Sequence, residues 1–106
     1  MTRLRVAELD LLADGAGTRV EAGGRSLALF RRGNEVFALG DRCSHAEASL
    51  AEGEVIGDTV ECPRHGAVFD LRTGAAISFP ATRPVAAYRV EVESNEVFVD
   101  LEEEGR

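Results

Sequence analysis

Cys43-Ser44-His45 and Cys62-Pro63-Arg64-His65 are the two stretches on which the reading of this chain turns. Between them they hold both cysteines and both histidines of the 106-residue sequence. In an extended segment residues i and i+2 point to the same side, so Cys43 and His45 can reach one centre together, and Cys-x-x-His across a turn does likewise. Sixteen residues, 46 to 61, separate the pairs, enough for an out-and-back hairpin that brings the two loops tip to tip. Gly66, directly after His65, would let the backbone pass close to a bound group without a Cβ clash. A Cys pair beside histidines in a reducing compartment points to metal rather than to a disulfide.

Outward from these pairs the chain reads as all-β. Toward the N-terminus, Val20-Glu21-Ala22 and Ser26-Leu27-Ala28-Leu29-Phe30 flank Gly23-Gly24, a hairpin signal, since both glycines accept positive φ. Gly33-Asn34 then leads into Glu35-Val36-Phe37-Ala38-Leu39, which alternates as a half-buried strand and completes a three-stranded meander. Leu4-Arg5-Val6 reads as a short strand, and residues 8–15 as at most a turn or two of helix ending at Gly15. Toward the C-terminus, residues 85–92 and 97–101 form a strand pair joined by Glu93-Ser94-Asn95-Glu96. The glutamate-rich residues 102–106 carry too little apolar surface to order themselves and read as a frayed tail. Residues 41–84 differ from both flanks. Their strands are short, at Val55-Ile56, Thr59-Val60-Glu61 and Ala67-Val68-Phe69, with Gly53, Gly57, Gly66 and Gly74 between them. The chain therefore reads as one domain, 1–106, whose β scaffold carries a loop-built subdomain at 41–84. Phe30, Phe37, Phe79 and Phe98 read as packing residues, as do Leu50 and Phe69.

Composition excludes several functions. A formal charge of −7 and the absence of a basic cluster argue against nucleic acid and favour a basic protein partner. No apolar run approaches the ~20 residues needed to cross a bilayer, and the polar opening is unlike a signal peptide, so the expected location is cytoplasmic, without a membrane. With both histidines committed to one site, a two-His-one-carboxylate oxygenase centre cannot be built. No glycine-rich dinucleotide fingerprint is present either, so direct reduction by a nicotinamide is not expected.

Cys-x-His in one loop and Cys-x-x-His in another, with this separation, resembles the Rieske iron–sulfur family. The resemblance extends over Cys43 to Leu50, Gly53, Glu61 to Asp70 and Arg72-Thr73-Gly74. It implies an antiparallel β-sandwich with a smaller, loop-rich cluster-binding subdomain. It also implies one [2Fe–2S] cluster, with Cys43 and Cys62 on the inner iron and His45 and His65 on the outer. A third loop, Ser78-Phe79-Pro80-Ala81, would cover it. Two ferric ions, two sulfides, two thiolates and two neutral imidazoles sum to zero charge, which raises the potential above that of all-cysteine clusters, to roughly −150 to +300 mV. Members serving quinol-oxidising complexes carry a disulfide and two hydroxyls beside the cluster. The matching positions here are Ala48 and Arg64, and Ala67 and Phe69, which places the expected potential at the low end.

Among Rieske proteins the sequence most resembles the ferredoxins of aromatic-ring-hydroxylating dioxygenase systems. The implied function is that of a monomeric one-electron carrier, not an enzyme in itself, docking transiently with an NAD(P)H-dependent flavin reductase and a terminal non-heme iron oxygenase. Two alternatives stay open. One is a Rieske small subunit or ferredoxin serving another reductase or iron–sulfur assembly. The other is a zinc-stabilised interaction module, because Cys₂His₂ ligation also suits a single zinc ion.

Overall fold

Strand-forming sequence and glycine-bearing turns build nine strands in the computed structural model, which describes residues 3–42, 48–64, 66–77 and 83–104. They are β1 (Arg3–Glu8), β2 (Gly17–Ala22), β3 (Arg25–Arg32), β4 (Glu35–Gly40), β5 (Glu54–Ile56), β6 (Thr59–Glu61), β7 (Val68–Asp70), β8 (Ala87–Glu93) and β9 (Glu96–Glu104). A six-stranded antiparallel sheet runs in the order β1-β9-β8-β4-β3-β2, and a three-stranded one in the order β5-β6-β7. Edge strands β1 and β2 also touch, so the large sheet curls toward closure.

The expected meander is β2-β3-β4, with the Gly23-Gly24 turn in place and both φ angles positive, at 57° and 78°. At the other end Ser94 and Asn95 form the β8–β9 turn, again with positive φ. Asn95 does more than turn the chain. Its carbonyl accepts the Leu9 N–H at 2.8 Å and its side-chain oxygen accepts the Asp10 N–H at 2.9 Å, which ties the hairpin to a single 3₁₀ turn at Leu9–Leu11. That short turn is all the helix that forms within residues 8–15.

Strand β4 is not half-buried. Val36, Phe37, Ala38 and Leu39 are all buried, because β4 and its partner β3 stand between two cores. Leu27, Leu29, Val36 and Ala38 pack with Val97, Val99 and Leu101 inside the large sheet. Ala28, Phe30, Phe37 and Leu39 pack on the opposite face with Val60, Phe69 and Leu71 of the small-sheet region. The C-terminal expectation is also corrected. The backbone of β9 runs through Glu104, opposite Tyr88, because ladder hydrogen bonds extend a strand without needing apolar side chains.

Gly74 joins the two regions. Its φ is +75°, and an added Cβ would lie 2.2 Å from the Val85 carbonyl oxygen. The Val85 N–H donates back to the Gly74 carbonyl at 2.9 Å, so the two backbones cannot separate without losing that bond. Gly74→Ala is expected to lower unfolding stability by about 2–4 kcal/mol, from left-handed strain plus the steric contact. Urea unfolding should show a lower midpoint at an unchanged slope.

Candidate metal centre

Alternation along β6 sets the orientation of Cys62. Val60 and Cys62 face the inner core while Glu61 between them faces out, and Cys62 is 1% exposed. The Cys62 N–H donates to the Ala67 carbonyl at 2.7 Å, and its own carbonyl accepts the Gly66 N–H at 3.3 Å. These two bonds close the loop between β6 and β7 and leave Pro63 and Arg64 exposed at its tip. Gly66 has φ +73°, and an added Cβ there would meet nothing within 4 Å among the described residues. The left-handed backbone is by itself a reason for glycine at this position.

The first loop is fastened at its neck. Arg42 and Ser49 form an antiparallel bridge, and the Leu50 N–H donates to the Asp41 carbonyl at 2.6 Å. The Asp41 carboxylate, in a residue 4% exposed, accepts from the Ser49 hydroxyl at 2.8 Å and from the Ala51 N–H at 2.9 Å. Arg19 Nε stands 3.6 Å from its other oxygen. A buried carboxylate is tolerable only when it is met by donors in this way. Asp41 was not visible as a site residue from sequence. Its one signal is its position two residues before Cys43, and its principal partner, Ser49, lies eight residues away.

The two loops face a common cleft of about 410 Å³. Ala48, Ser49 and Glu52 line it from the first side, Pro63 and Arg64 from the second. Asp70 closes the turn after β7, with its carboxylate accepting the Arg72 and Thr73 N–H groups at 2.8 and 3.0 Å. Of the four candidate donors, Cys62 is placed. Cys43, His45 and His65 lie outside the described residues, as do Ser78, Phe79, Pro80 and Ala81 of the third loop. Among the described residues no group of three or more His, Cys, Asp and Glu is arranged to hold a metal. The donor chemistry fits a Rieske cluster: the one placed thiol sits in an apolar shell with Leu50, Ala67 and Phe69, and the residue after it, Pro63, lines the cleft. Ala67 and Phe69 are fully buried and bring no hydroxyl to that shell.

Removing the neck carboxylate tests its role directly. Asp41→Ala leaves the Ser49 hydroxyl and the Ala51 N–H without their acceptor, so a stability loss of about 1.5–3 kcal/mol is expected. Denaturant titration measures the loss, and iron analysis of the purified variant should show lower occupancy.

Comparison with known proteins identifies the family. The Rieske [2Fe–2S] domain family matches residues 2–89. The 3-phenylpropionate/cinnamic acid dioxygenase ferredoxin subunit of Escherichia coli (strain K12) is 42% identical over 104 residues, 97% of each chain. The ferredoxin of carbazole 1,9a-dioxygenase from Nocardioides aromaticivorans IC177 superimposes with a TM-score of 0.88 at 40% identity, over 93% of this chain and 97% of that one. A complex of reduced oxygenase and oxidised ferredoxin in carbazole 1,9a-dioxygenase gives 0.84 at 40% identity, over 92% and 91%. No helix among the described residues is long and apolar enough to cross a membrane. This chain belongs to the Rieske [2Fe–2S] domain family.

Proposed function

We propose that this chain is a one-electron carrier that takes electrons from an NAD(P)H-dependent flavin reductase and delivers them to a terminal non-heme iron oxygenase of the aromatic-ring dioxygenase type. It works in the cytoplasm, as a monomer, by transient docking, and is an electron-transfer component rather than the oxygenase. The observation that carries this reading is the cleft bordered by the neck of the Cys43–His45 loop on one side and the Cys62 hairpin on the other. Relatives of nearly equal length that are named as dioxygenase ferredoxins support the choice of client.

In this reading residues 41–84 act as the cluster-binding subdomain. The Cys43 and Cys62 thiolates would hold one iron and the His45 and His65 imidazoles the other. The bound cluster supplies reversible one-electron chemistry. The chain's own contribution is to fix the donors, through the Asp41 neck and the Cys62–Ala67 closure, and to keep water from the thiolate side with Leu50, Ala67 and Phe69. Without hydroxyl donors at Ala67 and Phe69, the electron-rich reduced state gains less than it does where such hydrogen bonds exist, and the potential falls toward the low end for the class.

Absorption and reduced-state EPR spectra of the purified protein, with iron and labile sulfide analysis, test the reading. Two irons and two sulfides per chain with a Rieske-type signal are expected, whereas a colourless protein with stoichiometric zinc would overturn it. Cys62→Ser should lose the cluster. Ala67→Ser is expected to raise the midpoint potential by about 40 mV, the equivalent of one hydrogen bond of about 1 kcal/mol favouring the reduced state. Voltammetry on the holoprotein measures that shift.

A further inference from the structure

Most acidic side chains of the large sheet and its turns have an arginine beside them. Glu91 and Glu93 pair with Arg3, Glu96 with Arg5, Glu21 with Arg19 and Glu35 with Arg72. The small sheet is different. Glu54 and Glu61 stand directly opposite each other across β5 and β6, both exposed. Among the described residues neither takes part in an ion pair. Like charges directly opposite destabilise a sheet, and no ion pair among the described residues offsets that cost here.

Strand register extends the row. Glu61 is opposite Val68, and beyond the Phe69–Ala76 bridge the Ile77 N–H donates to the Val68 carbonyl at 2.8 Å. Cross-strand neighbours share a face, and Val55, Val60, Phe69 and Ala76 belong to the inner core. The row Glu54, Glu61, Val68, Ile77 therefore looks outward. Ile77 is 54% exposed and Ile56, at the β5 end, 55%. Chain connectivity puts one end of this row next to the Cys62 loop, since Glu61 precedes Cys62 and Val68 follows Ala67.

Large exposed apolar side chains on a sheet face suit burial in an interface, and opposed charges around them guide the approach and fix the orientation. The uncompensated carboxylates define the complement: lysine or arginine side chains beside an apolar contact. We propose that the outer face of the small sheet, formed by Glu54, Glu61, Val68 and Ile77 with Ile56 at its edge, is the docking surface for a basic electron-transfer protein. The assignment rests on the electron-carrier reading and deepens it. A bound cluster would supply one electron across this face, being oxidised by one unit as the acceptor centre of the docked protein is reduced by one.

Cytochrome c, a lysine-rich one-electron acceptor, is a suitable probe. Oxidised holoprotein is titrated with ferricytochrome c in a calorimeter at low ionic strength, and reduction of the cytochrome by reduced holoprotein is followed by stopped flow. The double variant Glu54→Gln/Glu61→Gln is expected to bind about threefold more weakly or worse, as loss of two exposed ion pairs of ordinary strength would give. Its electron-transfer rate should fall in parallel, while its melting temperature stays equal to or above that of the parent. The pair Glu91→Gln/Glu93→Gln removes the same formal charge from the large sheet and should change both quantities less. Ile77→Ser should weaken binding at high as well as low ionic strength. Equal losses from the two double variants, or no loss from Glu54→Gln/Glu61→Gln, would overturn the docking face while leaving a normal cluster signal. Absence of a reduced [2Fe–2S] signal in the parent would overturn the carrier reading and the docking proposal with it.

Discussion

Burial of the β3–β4 hairpin on both faces is the constraint on which the molecule depends. Leu27, Leu29, Val36 and Ala38 serve the core inside the large sheet, while Ala28, Phe30, Phe37 and Leu39 serve the core beneath the small one. Side chains alternate with a period of two, so a slip of one residue would exchange the two sets and spoil both cores together. Each fully buried Leu or Phe contributes about 1.5–3 kcal/mol, which makes such a slip prohibitive against ordinary domain stability. The register of this hairpin therefore determines where the first loop, leaving β4 at Gly40, begins.

The small sheet is too short to be stable alone, with three residues in each strand. It holds its shape because Val60 and Phe69 share a core with Phe30 and Phe37, and because short polar side chains close its loops. Asp41 accepts the Ala51 N–H and the Ser49 hydroxyl, and Asp70 the Arg72 and Thr73 N–H groups, donors that no strand satisfies. The neck of the first loop is thus held by a carboxylate, and the loop after β6 is closed by the backbone bonds of Cys62 with Ala67 and Gly66.

Much of this was legible in the sequence, for reasons that differ by element. Gly23-Gly24 marked a hairpin because few other residues accept two positive φ values in succession. The Cys and His pairs stood out because no other residues of either type exist in the chain. Strand β4 was misread because alternation was sought where Val36-Phe37-Ala38-Leu39 is an unbroken apolar run, the signature of a strand buried on both faces. The tail was misread because side-chain hydrophobicity says nothing of backbone pairing, and Glu104 finds its partner in Tyr88, sixteen residues earlier. Asp41 was missed for a similar reason: its meaning lies in a hydroxyl and an N–H that only the closed loop brings to it.

Two features near the metal centre bear on the energy of an added electron, and their magnitudes differ. Exposed carboxylates such as Glu54 and Glu61 oppose extra negative charge, yet a unit charge ~10 Å away in water contributes only about 0.4 kcal/mol before salt screens it. Exposed Arg64 acts with the opposite sign and is screened to a similar degree. The apolar shell of Leu50, Ala67 and Phe69 is not screened, because no solvent enters it. Each hydrogen bond that shell withholds is worth about 1 kcal/mol, and more where the acceptor is charged. The buried shell therefore dominates the potential, while the exposed carboxylates act mainly on encounter with a partner, where their reach matters more than their depth. In the proposed reading, redox tuning falls to the buried residues around Cys62 and partner selection to the outer face of the small sheet, so either can change without disturbing the other.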